Sequence, residues 1–113
     1  MKRSEVTVDA LRRMGYRAMA QYTSWNGQTE KECGDKQAAE LFDLVVTTAR
    51  DGGKVNIRRN HIFGTVTASI DGTFHRTRGG SICYYLQREM TEAEIMEESI
   101  KSGMWVERRC AGQ

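Results

Sequence analysis

The sequence predicts an α+β fold, an antiparallel sheet of about four to five strands with two or three helices packed on one face. Three observations predict it. Two stretches carry apolar residues at helical spacing, the segment between them alternates with a period of two, and glycines punctuate the joins. At 113 residues, 39% hydrophobic and 28% charged, the chain has the size and balance of one globular domain, residues 1–113.

The clearest helix is expected from about Asp35 to Arg50. Ala38, Leu41, Phe42, Val45 and Ala49 form one apolar stripe with Val46 beside it. Asp35 is expected to accept hydrogen bonds from first-turn amides, and Gly52 to end the last turn in the left-handed conformation. A second helix opens on Thr91-Glu92-Ala93-Glu94, the pattern of a capping box, and is expected to reach Ser102 and stop at Gly103. Ile95, Met96 and Ile100 should face inward, and Glu92, Glu94, Glu97 and Glu98 should form a solvated face.

Between these helices four strands are expected, at Lys54–Arg59, Ile62–Ile70, Thr73–Arg78 and Ile82–Arg88. Asp71-Gly72 reads as a two-residue hairpin turn, which would place Ser69 opposite Phe74 and Thr67 opposite Arg76. A last strand is expected at Met104–Arg109. Near the N-terminus, Leu11, Met14, Ala18, Tyr22 and Trp25 predict a helix from about Thr7 onward. The alternative is a stop at Gly15, followed by a strand over residues 16–25. Tryptophan in a small domain is usually core, so Trp25 is expected inside and Trp105 in the core or at its rim.

No segment approaches the roughly 20 apolar residues of a membrane span. The start Met1-Lys2-Arg3-Ser4-Glu5 lacks the apolar stretch of a secretory signal, so a cytoplasmic protein without a membrane partner is expected. Cys33, Cys83 and Cys110 form no CxxC pair and read as reduced thiols, with Cys83 buried in a strand and Cys110 the most reactive candidate. His61 and His75 have no ligand neighbour at a metal spacing, and no phosphate-binding loop or nucleophile elbow occurs, so no metal and no cofactor are expected. A metal-independent ribonuclease could be assembled from His61, His75, Arg76, Arg78 and Glu89, a distant alternative because local sequence leaves no trace of such a site.

The hairpin region is more informative. Strand alternation puts Val66, Ala68, Ile70 and His75 on one face, and Phe63, Thr65, Thr67, Ser69, Phe74, Arg76 and Arg78 on the other. Tyr84-Tyr85 gives one ring to each face. The candidate binding face is therefore Arg58, Arg59, Phe63, Phe74, Arg76, Arg78 and Tyr85, with no catalytic residue assigned. Charge is unevenly spread: residues 53–90 hold six basic side chains against two acidic, residues 91–113 three against five. A central α-β-β-β-α order over roughly residues 35–102 is similar to that of double-stranded-RNA-binding domains. That family's second helix opens on a lysine cluster; here it opens on Thr91-Glu92-Ala93-Glu94, which repels phosphate, and the resemblance carries no function across.

The expected function is that of a small non-catalytic binding protein that modulates or inhibits a larger protein or nucleoprotein complex, of the kind encoded by phages and mobile elements as host-defence inhibitors. The alternative is a nucleic-acid-binding module that holds DNA or RNA on the same basic and aromatic face. A homodimer formed through an exposed sheet edge is compatible with either.

Overall fold

The structure is a computed structural model and describes residues 5–102. The strand expected at Met104–Arg109, Trp105, Cys110 and the stop at Gly103 lie outside the described residues. Within them the order is α1 (Val8–Arg13), β1 (Arg17–Ser24), β2 (Gly27–Glu32), α2 (Asp35–Arg50), β3 (Asn56–Asn60), β4 (Thr65–Ser69), β5 (Phe74–Thr77), β6 (Gly80–Glu89) and α3 (Glu92–Lys101). This is an α+β fold with an antiparallel sheet of six strands, more than the four to five expected.

The extra strands come from the N-terminal segment, where the helix expected through Trp25 ends after six residues. Thr7 caps α1 by accepting a hydrogen bond from the Ala10 amide, and Gly15 takes φ +97°, a conformation that turns the chain out of the helix. Beyond it the period becomes two: Ala18 and Ala20 face the core, while Arg17, Met19 and Gln21 face away. Ser24 pairs with Gly27 around a two-residue turn, and Trp25, at that tip, is 91% exposed rather than core.

The second correction concerns Asp71-Gly72. The long strand β6 pairs along its whole length with β1 on one side. On its other side β4 and β5 lie end to end, β4 opposite residues 86–89 and β5 opposite residues 80–83. Residues 70–73 are thus an outward kink in one row of strand, and no β4–β5 hairpin forms. Burial accounts for this. Ile70 joins Val66 and Ala68 in the core, a position denied to a residue at a hairpin tip, and buried Thr73 donates its hydroxyl to the Ile70 carbonyl at 2.9 Å. The hairpin turn sits later, at Arg78-Gly79, with Thr77 opposite Gly80. The order across the sheet is β2-β1-β6-β4-β3, with β5 continuing the β4 row.

One face of this sheet carries the helices. Phe42 is fully buried, with Leu41, Val45 and Val46 on the same stripe of α2, against Ala18, Val66, Ala68 and Leu86. The bounds of α2 are those expected, although its cap differs: Gly34 is the N-cap and Asp35 already belongs to the first turn. In α3 the capping box at Thr91 and Glu94 forms as expected. Its inward face is different: Ile95 packs on the core and Ser99 is buried, whereas Met96 and Ile100 are exposed. Four strands, not three, separate α2 from α3, which departs from the α-β-β-β-α order. No helix among the described residues is long and apolar enough to cross a membrane.

Candidate binding face

The opposite face of the sheet has no helix over it in the described residues, and the strand registers define its members. Arg17, Met19 and Gln21 of β1 stand beside Glu30 and Glu32 of β2. Cys83, Tyr85, Gln87 and Glu89 of β6 stand beside Thr65 and Thr67 of β4. Asn56, Arg58 and Asn60 form the far side on β3. The face is hollowed into a concave surface. A trough of about 720 Å³ crosses it from Gln21 and Glu30 to Arg58 and Phe63, floored by Thr65, Thr67, Tyr85 and Gln87.

Its polar groups are organised. Tyr85 donates its hydroxyl to Glu30 Oε2, which Gln87 Nε2 approaches at 3.5 Å, and Gln21 Nε2 donates to Gln28 Oε1 at 3.3 Å. Burial first, and then the Glu30 hydrogen bond, push the Tyr85 phenol up, so it remains a protonated donor at neutral pH. Burial also raises the Cys83 thiol in the trough and, together with nearby Glu32, the Cys33 thiol, which keeps both away from the reactive thiolate form. Cys83 is half-buried, less enclosed than expected.

One rim is apolar. The β3–β4 turn is fixed by Asn60, whose Oδ1 accepts from the Ile62 amide at 3.0 Å and the Phe63 amide at 3.2 Å, while Gly64 closes the turn at φ +70°. This local order holds Ile62 and Phe63 outward, 76% and 79% exposed. Large apolar side chains held at such exposure on a hydrogen-bonded turn are costly to leave in water, and they suit a contact surface.

Of the residues singled out from sequence, Arg58, Phe63 and Tyr85 line the trough together. Phe74 and Arg76 are on the same face but farther along, opposite Cys83 and Ser81. Arg78 lies in the β5–β6 turn. Arg59 pairs with Val66 and therefore belongs to the helix-bearing face. The groups named for ribonuclease chemistry are not brought together: His75 pairs with Ile82 near one end of β6 and Glu89 closes the other, about 23 Å away along the strand. Sequence reasoning missed Gln21, Glu30 and Gln87 in the trough and the exposure of Ile62 in the turn beside Phe63. Glu30 and Gln21 became visible only once the N-terminal segment paired as strands, and the alternation of Arg17 to Tyr22 was the signal available for that.

The basic excess of residues 53–90 is divided between the two faces. Arg88 is taken up on the helix side, where both terminal nitrogens donate to Glu94 at 2.8 Å and its guanidinium lies 5.7 Å from the Tyr16 ring centre. The open face carries Arg17, Arg58 and Arg76 as well as Glu30, Glu32 and Glu89, and of these Arg17 and Glu32 form an ion pair at 3.5 Å. No group of three or more His, Cys, Asp or Glu side chains able to hold a metal ion occurs among the described residues. No protein-family model, no curated protein and no solved structure matches the chain.

Proposed function

We propose that the chain is a non-catalytic binding protein whose concave sheet face docks onto a larger protein and modulates it by contact, as small inhibitors carried by phages and mobile elements do. The observation that carries this reading is the make-up of the face. Exposed Phe63, with exposed Ile62 beside it in the same turn, borders a polar trough that holds one cation, Arg58, and one anion, Glu30. Protein interfaces combine exposed aromatic anchors with mixed polar groups in this way. A phosphate-binding face needs a cationic excess, and Glu30, Glu32 and Glu89 offset that here.

The test is affinity capture from lysate with and without nuclease, paired with anisotropy titrations against labelled single- and double-stranded DNA and RNA at low and physiological salt. A protein partner retained after nuclease treatment, with no salt-dependent nucleic-acid binding, is the expected result. A partner lost on nuclease treatment, together with binding that weakens steeply with salt, would replace this reading by the nucleic-acid one.

A further inference from the structure

Among the described residues the sheet ends in strands with one unpaired backbone edge, β2 on one side and β3 on the other, and β5, in the β4 row, pairs only with β6. The two edges differ in charge. The side chains of β2 are Gln28, Thr29, Glu30, Lys31 and Glu32, and its carboxylates are engaged by Tyr85 and Arg17. The β3 edge carries Arg58 and Arg59, both exposed, with exposed Lys54 just before the strand. Neither β3 nor its neighbour β4 contains a carboxylate, and Arg58 and Arg59 make no ion pair among the described residues. Two adjacent guanidinium groups therefore project to opposite faces of one free edge, and nothing in the neighbouring strand neutralises them.

Arginine on an edge discourages pairing with a like edge. Antiparallel self-pairing of β3 in the registers centred on Arg58 or Arg59 sets each of these against its own copy, which is destabilising. The same charges favour a strand of opposite sign. We propose that the β3 edge accepts an extended acidic segment of the partner as an added strand, with consecutive carboxylates meeting Arg58 and Arg59 on the two faces. Backbone hydrogen bonds to Asn56–Asn60 supply the affinity, and the paired charges supply register and selectivity. Exposed Ile57, between Asn56 and Arg58, and Phe63 at the neighbouring rim give apolar contacts beside the charged ones. This rests on the docking reading above and names the chemistry of the partner segment.

The experiment uses the whole protein and a labelled eight-residue peptide with two central glutamates flanked by threonine and valine, against the same peptide with two lysines. The glutamate peptide is expected to bind and to slow amide exchange in residues 56–60, and the lysine peptide is expected not to bind. The double variant Arg58→Glu with Arg59→Glu should lose about tenfold or more in affinity for the first peptide and gain affinity for the second. The control variant Gln37→Trp, on the exposed side of α2, should leave peptide binding unchanged. Peptide binding without capture of a partner, or capture of a partner without peptide binding, separates the edge from the face. Equal binding of both peptides, no binding of either, or protection outside residues 56–60 would overturn the edge proposal and leave the docking face to be judged by its own test.

Discussion

At Gly80 the β5–β6 hairpin comes so close to β1 that a Cβ atom would lie 1.7 Å from the Thr23 carbonyl oxygen, whereas a Cβ on Gly79 would meet nothing within 4 Å. The neighbouring glycines therefore differ in kind. Gly80→Ala should destabilise the fold by about 1–3 kcal/mol, because backbone rather than a flexible side chain must give way. Gly79→Ala should stay within about 0.5 kcal/mol. Urea unfolding of the two variants checks this, and equal midpoints would contradict the close approach. The Gly79-Gly80 pair reads from sequence only as a turn, since a packing need created by Thr23, far back along the chain, leaves no local mark. Trp25 shows the same limit: its size argues for burial, but its place in a two-residue turn exposes it. Tyr84-Tyr85, in contrast, was legible, because alternation alone sends one ring to the core side and the other to the open face.

Among the elements, α2 and α3 were readable because their stripes and caps are local, whereas β1 was read only as the alternative, a stop at Gly15 followed by a strand over residues 16–25, and β2 was not read at all. Leu11, Met14, Ala18 and Tyr22 share helical spacing by coincidence, and Gly15 decides against it by adopting positive φ. The Asp71-Gly72 signal misled for a related reason: a turn sequence fixes a turn, while the pairing around it follows from which strand is long enough to hold both arms. Here that strand is the ten-residue β6. The tie between β6 and α3 has a pH signature. The Glu94 carboxyl is lowered from 4.5 to about 2, first by the Arg88 hydrogen bonds and then by the Thr91 amide. A carboxyl lowered on folding contributes stability that is present above its unfolded pKa and lost as pH falls through the folded one. Thermal midpoints should therefore decline between about pH 4.5 and pH 2, and Glu94→Gln should lower the midpoint at pH 7 while flattening that decline. An unchanged slope in the variant would assign the acid sensitivity to other groups.

For the molecule as a whole, the helices cover one side of the sheet and leave a concave polar side with an apolar rim. The fold class and much of this face were legible from alternation, which placed Thr65, Thr67, Phe74 and Arg76 together. Its electrostatic balance was not, because Glu30 and Glu32 arrive from β2, a strand invisible until β1 pairs with it. A patch that looked basic along the chain carries three arginines and three glutamates across the sheet, which supports the proposed protein docking over its nucleic-acid alternative. The most direct measurement is quantitative partner capture with three proteins: the wild type, Gln87→Trp on the trough floor, and Gln37→Trp on the exposed side of α2, each first shown to unfold at a similar temperature. Equal capture by the wild type and Gln37→Trp, with at least a tenfold loss in Gln87→Trp, is the result predicted for a docking face. Equal capture by all three, or a loss confined to Gln37→Trp, would contradict it.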